Sequence, residues 1–470
     1  MRKNKIFTRK QLAVLCGFSA LFAENALGLN WDINPALSVR GSYTDNIALT
    51  PSDQAESDFI VEVIPELAVS GLGRALSLDL NYRAQLLKYM DHTDSDTVRH
   101  QLLADGTAML VEDLFYIDAR GSYTQRPEHS GQAYDPDNIG ISLGNINVAT
   151  VTLYPYLKRR FGNTASGQIG YRYRRVEYDN DVGNDQDTKE ILASLESGTR
   201  FTKLKWGLNY SHRRFEPEDR VRSNFERFVG DIRYPVFKRM YAIGKLGYEQ
   251  NEYTTQNASD EKEGALWGVG LGWAPSVRTT MEFIAGRRYF GDTKQMMVVH
   301  RARRLTLSAN YDEDFDSNAT LDADAPVFDD QGNPIFPGEG GDLNTEIFLK
   351  KTLAAEATYS FPRSSLGGRI FDRKREYTAD GTEQDVYGAD VYYDWGLGGR
   401  TSGRVGVYYR YNSSRVDDKY NDYYGLLSVE HKFAPSLVGI GEYTFLRRDS
   451  DNPLGSYKRN RIAATMKFLF

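Results

Sequence analysis

Cysteine is all but missing from this chain of 470 residues. Its one example, Cys16, lies in a stretch that reads as an export leader, so the mature chain can hold neither a disulfide nor a thiolate metal site. Ala13-Val14-Leu15 also fails to supply the small residue expected before a lipid-modified cysteine. Long apolar runs are missing too. Past the leader nothing approaches the roughly 18 uninterrupted apolar residues of a membrane-crossing helix, and mean hydropathy is −0.54. The six histidines, His92, His100, His129, His212, His300 and His431, include no two at metal-ligand spacing. No Gly-Lys-Ser/Thr phosphate loop and no Gly-x-Ser-x-Gly elbow occurs. Ser211 and His212 adjoin, but neighbours on a strand point to opposite faces. These absences leave no cofactor to expect and argue against an enzyme.

The leader itself spans residues 1–28. Arg2, Lys3, Lys5, Arg9 and Lys10 precede an apolar stretch from Leu12 to Phe22, and Ala26-Leu27-Gly28 offers small residues for cleavage. Taking its five bases and one acid from totals of 58 and 64 leaves 53 bases against 63 acids. An acidic exported chain is a poor partner for nucleic acid, whose recognition runs on clustered positive charge.

What is present is alternation. From Leu76 to Leu86 the residues Leu76, Leu78, Leu80, Tyr82, Ala84 and Leu86 oppose Ser77, Asp79, Asn81, Arg83 and Gln85. A strand sends successive side chains to opposite faces, so one face is oily and the other ionic. The split recurs from Phe115 to Thr124, and again at the end, where Ile462, Ala464, Met466, Phe468 and Phe470 alternate with Ala463, Thr465, Lys467 and Leu469. With 31 Tyr, 23 Phe and 42 Gly but 15 Pro, the composition suits aromatic-rich strands with lipid outside and water inside. Phe468 and the final Phe470 form the expected signal to the barrel-assembly machinery.

Connections come in two kinds. Short turns fall around 71–74, 111–113, 160–163, 202–203, 235–238, 274–277, 362–364, 398–400 and 434–436, with a further reversal near Arg301 to Arg304. Longer polar stretches lie between them, including 45–57, 91–98, 126–145, 179–187, 216–222, 254–263, 315–345, 378–384, 412–421 and 448–457. Periplasmic turns and long outer loops are the plan of an outer-membrane barrel. The expected fold is therefore all-β, a transmembrane antiparallel up-and-down barrel over residues 29–470, of about 22 strands within roughly 18–22. Alternation begins by Leu37, which leaves no length for an N-terminal plug domain. Phe315 to Thr345, stiffened by Pro326, Pro334 and Pro337, is the leading candidate to fold inward, with a surface loop as the alternative.

Candidate pore-lining residues are Asp79, Arg83, Asp118, Arg120, Arg172, Arg174, Arg287 and Arg410, with Tyr171, Tyr173, Tyr409 and Tyr411 beside them. Rows of guanidinium and carboxylate groups screen permeants by charge, and phenol rings pack on sugar faces. Which member of each adjacent pair points inward is open, as is the reading of these charges as mutually satisfied ion pairs. Asp312, Asp314 and Asp316 have the spacing of a calcium loop's start, but Ser317 and Ala323 stand where Gly and Glu are needed, so no metal is expected.

Five segments carry a family likeness: Ser42-Tyr43-Thr44-Asp45-Asn46, Arg160-Phe161-Gly162-Asn163, Trp273 to Thr280, Gly286-Arg287-Arg288-Tyr289-Phe290-Gly291 and His300-Arg301-Ala302-Arg303-Arg304. In their order and spacing the chain resembles the outer-membrane β-barrel proteins associated with the PEP-CTERM protein-sorting system. The resemblance implies a Gram-negative bacterium that makes exopolysaccharide and a part in moving polymer or protein across its outer membrane. It carries over no catalytic or binding residue. The function expected is a porin-like conduit tied to exopolysaccharide export or PEP-CTERM sorting. The alternatives are a closed barrel that anchors surface polymer or a partner, and an outer-membrane enzyme. Expected partners are outer-membrane lipids, lipopolysaccharide, the assembly machinery, and exopolysaccharide or export components.

Overall fold

The computed structural model describes residues 30–127, 131–133, 135–141, 144–179, 185–218, 220–255, 262–320, 345–413 and 419–470. The leader over 1–28 lies outside the described residues, as does the 321–344 part of the longest loop. Strands β1 (Asn30–Thr44), β2 (Asp58–Leu72), β3 (Leu76–Tyr89), β4 (Thr97–Val111), β5 (Phe115–Arg126), β6 (Ile146–Phe161) and β7 (Ala165–Tyr178) are followed by β8 (Gln186–Ser197), β9 (Lys205–Pro217), β10 (Ser223–Phe237) and β11 (Met240–Glu252). The second half holds β12 (Glu263–Ser276), β13 (Thr279–Arg288), β14 (Gly291–Arg301), β15 (Leu305–Ser317), β16 (Ile347–Ser360) and β17 (Ser364–Tyr377), then β18 (Glu383–Gly396), β19 (Thr401–Ser413), β20 (Lys419–Ala434), β21 (Leu437–Ser450) and β22 (Tyr457–Leu469). Each pairs antiparallel with its successor. The sheet closes where β1 meets β22, from Ala36 opposite Leu469 to Thr44 opposite Arg461.

Burial in this barrel is inverted. The largest fully buried side chains are led by Arg375, Arg448, Arg459 and Arg461, while Phe228, Ile232, Leu246, Val269 and Leu271 are exposed. Register puts these five on one face, because Phe228 stands opposite Tyr248, Leu246 opposite Trp267, and Val269 opposite Gly244. A water-soluble sandwich buries its apolar groups and exposes its arginines. Here the apolar wall faces outward and the ionic wall inward, as lipid requires.

The closing seam is fastened at its outer end by part of the Ser-Tyr-Thr-Asp-Asn segment. Asp45 accepts hydrogen bonds from the Asn460 backbone N–H at 2.7 Å and its side-chain amide at 2.6 Å, and the Asn46 amide donates to the Lys458 carbonyl at 3.0 Å. At the other end Phe468 is on the outer wall opposite Leu37 and Leu437, and the Phe470 N–H bonds the Pro35 carbonyl.

One connection escapes the sequence. β13 and β14 are joined by Tyr289 and Phe290 alone, with Gly291 at φ +129° taking the conformation that side chains disfavour. Tight hairpins usually announce themselves by Asn-Gly or Asp-Gly. Here two rings occupy the turn because they pack on Phe315 inside the barrel, at 6.0 and 5.4 Å between centroids.

Candidate functional site

The lumen is the site, and cross-strand register assembles it. Asp79 stands opposite Asp105, Asp105 opposite Arg120, Arg120 opposite Thr152, and Thr152 opposite Arg174. Residues so paired lie about 5 Å apart on one face. Asp79, Asp118, Arg120, Arg172 and Arg174 accordingly line a single recess of about 610 Å³ on the inner wall. Arg120 donates to Asp105 at 2.9 Å and Arg172 to Glu190 at 2.7 Å. Arg83 is on the same face toward the outer end, opposite Glu66, and Arg410 is buried against Asp422 at 2.6 Å.

Arg287 does not join them. It stands opposite the outward Trp267, whereas Arg288 turns into the lumen to meet Glu249 at 2.7 Å and Asp314 at 3.3 Å. Two adjacent arginines carry no period-two signal, so only register decides between them. The tyrosines separate from their neighbouring arginines for the same reason. Tyr409 and Tyr411 stand opposite Tyr423 and Tyr387 on the outer wall, on the other side of the sheet from Arg410, and Tyr171 and Tyr173 are likewise opposite in facing to Arg172 and Arg174.

Among the described residues, three connections enter the lumen from its outer end. In the β1–β2 loop, Leu49 joins an apolar cluster with Phe371, Val386, Tyr408, Leu446 and Tyr457, against which Ala133 of the β5–β6 loop also packs. Leu49 holds φ +52°, a left-handed conformation costing about 1–2 kcal/mol, fixed by this burial and by Asn46, which bridges Thr50. The second is the β5–β6 loop. Tyr89 donates to the Ile139 carbonyl at 2.6 Å, and Arg99 holds the Asn138 side chain at 2.9 Å and the Gly140 carbonyl at 2.8 Å. Asp135 and Asp137 of this loop then meet the last strand. Asp135 pairs with Arg459 at 2.7 Å, and Asp137 takes Arg459 and Arg461, each at 2.7 Å. Arg448, bonded to Asp422, caps the Gly131 and Gln132 carbonyls at 2.8 Å. The third connection is the start of the β15–β16 loop, where Ala319 packs on Ile146, Val148, Val176 and Tyr178 across the barrel and Gln186 donates to Ser317 at 3.0 Å.

Sequence reasoning ranked the loop from Phe315 first and missed the one from Arg126. Its described beginning, 315–320, does turn inward, and among the described residues the ion pairs to the last strand belong to the β5–β6 loop. The signal for it was faint: Arg459 and Arg461 share the lumenal face of β22, and Asp135 and Asp137 are spaced to match. Burial alone would raise the Asp135 pKa. The guanidinium of Arg459 and the N–H groups of Ile139 and Gly140 outweigh that and hold it below the ordinary carboxylate value.

A second clamp sits at the rim. His92 lies 2.8 Å from both Glu56 and Asp58, tying the β3–β4 loop to the β1–β2 loop, and Asp58 also accepts the Met90 and Asp91 N–H groups. Glu56 and then Asp58 raise the His92 pKa above the ordinary histidine value. Its contribution is therefore complete below about pH 6.5 and is lost as pH rises through the raised value. Exchange of the Ile47 amide, bonded to the Glu56 carbonyl, should accelerate beyond its intrinsic chemistry at alkaline pH. In His92→Gln that extra acceleration should vanish.

The remaining candidates disperse. Ser211 lines an inner recess while His212, on the other face, lies 3.8 Å from Glu226. Asp314 is engaged by Arg227 and Arg288, and Asp316 by Lys350. Among the described residues no group of three or more His, Cys, Asp or Glu is arranged to hold a metal ion.

Residues 28–195 match the model of a family described as "Putative beta-barrel porin 2". No curated protein matches the sequence. Among solved structures, a mutant of the ferric enterobactin receptor PfeA from Pseudomonas aeruginosa superposes with a TM-score of 0.50 at 9% identity, over 93% of this chain and 80% of that one. The siderophore receptor PirA from Acinetobacter baumannii does so with a TM-score of 0.50 at 8% identity, over the same shares. At such identities the likeness is one of fold. With its inverted burial and its closed 22-stranded sheet the chain is a β-barrel built to stand in an outer membrane, and its residues 28–195 are similar to the porin model.

Proposed function

We propose that this barrel is a non-enzymatic conduit whose outer mouth is held narrow by its own loops, and that it serves exopolysaccharide export or PEP-CTERM sorting in a Gram-negative cell. The observation that carries the reading is the pairing of a polar inner wall with an ion-paired loop at one end. A wall of hydroxyl, carboxylate and guanidinium groups gives a polar solute a path that lipid denies. The setting in polymer export or protein sorting rests on the sequence resemblance. Outer-membrane lipid and lipopolysaccharide contact the outer wall in this reading, and the assembly machinery recognises the Phe468 to Phe470 terminus.

A second reading has one observation in its favour. Asp135, Asp137, Arg459 and Arg461 are all buried or nearly so, as in a barrel that stays shut and anchors surface polymer or a partner. Planar-bilayer recording of the purified chain separates the two. A conduit gives discrete conductance steps, even if small, and a shut anchor gives none.

A further inference from the structure

We propose that a basic arc on the periplasmic rim, running from the β6–β7 turn to the β14–β15 turn, is the entry site for an acidic polysaccharide, an inference that rests on the conduit reading and names its substrate class. The first ground is a segregation of charge. Five consecutive short turns with their flanking strand ends, at 158–164, 198–205, 238–239, 277–278 and 301–304, hold twelve lysines and arginines and no acid, in a chain whose net formal charge is −6. The other turns of the same rim hold only Arg74, Arg363, Arg400 and Lys432, against Glu112 and Asp113. One half of the rim is therefore strongly positive and the other only weakly so.

The second ground is that these charges are unanswered. All twelve side chains are exposed, and among the described residues none forms an ion pair or a side-chain hydrogen bond. Across the rim, by contrast, Arg74 is held by Glu112. Cations open to water and left without a partner in their own chain attract a polyanion and raise its rate of arrival.

Facing selects a chain that enters over a lipid or a docked protein. Lys158 stands opposite Gln168, which lines an inner recess, and Arg160 shares its face. Lys205 stands opposite Arg233 on the lumenal side, and Arg301 shares the lumenal face of β14 with Thr293 and Gln295. Anionic headgroups lie against the other face of the wall, and a protein resting on the rim meets the turn tips first. These four cations sit instead where a polymer threads the mouth. The nearest acids on that face are Glu196, and Asp231 and Glu282, which Arg233 engages. Neighbouring turns are two strand spacings apart, about 10 Å, close to the screening length of about 8 Å in physiological salt. Their fields overlap, so a chain with a charge on each sugar gains from several turns at once, while a single uronate does not.

The test uses the full chain in a nonionic detergent, titrated by calorimetry with a galacturonate hexamer, the galacturonate monomer, maltohexaose and hexaglutamate. The galacturonate hexamer should bind saturably, at least about tenfold more tightly than the monomer or maltohexaose. Hexaglutamate should bind several-fold more weakly, because its flexible backbone gives up more freedom than linked pyranose rings. In Lys158→Glu/Arg160→Glu/Lys205→Glu the hexamer should lose about tenfold or more in affinity, and in the neutral counterpart Lys158→Gln/Arg160→Gln/Lys205→Gln several-fold. Arg363→Glu/Arg400→Glu, on the other side of the rim, should stay within about twofold of the unaltered chain. Heat modifiability on gels should be retained in all three. Absence of saturable hexamer binding overturns the proposal, as does equally tight binding of maltohexaose or an equal loss on both sides of the rim. Hexaglutamate binding as tightly as the hexamer, or more so, assigns the arc to an acidic polypeptide and overturns the choice of sugar. Conductance in the same preparation keeps the two readings apart: steps without hexamer binding sink the entry site alone, and hexamer binding without steps sinks the conduit alone.

Discussion

Asp135→Asn/Asp137→Asn should convert a quiet channel into one of markedly larger unitary conductance. The two carboxylates are the sole acids of the β5–β6 loop shown to face the Arg459 and Arg461 guanidiniums, which are themselves fully buried in the lumen. Removing one side of a buried ion pair costs about 3–5 kcal/mol, because the charge left behind has lost its partner in a poorly solvated place. Rehydrating Arg459 and Arg461 by letting the loop swing away relieves that cost. A bias of this size shifts the ratio of released to seated loop by roughly a hundredfold or more. Barrel strands are untouched, so heat modifiability on gels should be retained. Arg459→Ala should reproduce the conductance change from the opposite partner, leaving Asp135 without its cation. Unitary conductance equal to that of the unaltered chain in both variants would mean that this loop does not set the width of the mouth.

Acid should act on the same contact, and the sign is determined by the lowered pKa of Asp135. A carboxylate whose folded value lies below its unfolded one contributes stability that is present above the unfolded value and lost as pH falls through the folded one. The seated loop should therefore hold through neutral and mildly acid pH and let go below the ordinary aspartate range, near or under about pH 4. The His92 clamp titrates in the opposite sense, weakening as pH rises. The two clamps would be strained at opposite ends of the pH scale, with the loops most firmly seated between them.

Period-two alternation made the barrel and nearly all of its strands legible, because each strand separates lipid from water and writes that separation into its sequence. The Tyr289–Phe290 hairpin was not legible, since its turn is stabilised by Phe315, contributed by another strand, rather than by turn-forming residues of its own. Facing was legible where the alternation is clean, as at Asp79 and Arg120, and failed at Arg287, where the next residue carries the same charge. The seated loop lay furthest out of reach. Asp137 and Arg461 are 324 positions apart, and an acidic residue in a long polar loop looks the same whether it meets water or a buried guanidinium. The prolines of the Phe315–Thr345 loop suggested a fixed shape, but rigidity does not say where a loop goes. The charge of the wall it meets does.

Leu246→Arg and Val229→Arg form a matched pair that tests which wall meets hydrocarbon. Leu246 lies midway along β11 on the outer wall, 69% exposed and beside Trp267, while Val229 stands on β10 facing the inner recesses. Both are single apolar residues near the middle of neighbouring strands, and both substitutions add the same side chain. Outside, the guanidinium enters lipid, at a cost of about 2–4 kcal/mol at the bilayer midplane. Inside, it meets water and acids such as Asp231, which lines the adjoining recess. Its cost there should stay within about 1 kcal/mol, the scale of an ordinary solvated substitution. Urea unfolding in phospholipid vesicles should therefore show Leu246→Arg strongly destabilised or unable to insert, with Val229→Arg close to the unaltered chain. Equal penalties, or a heavier one for Val229→Arg, would mean that the apolar wall does not face lipid, and the conduit would lose its physical basis.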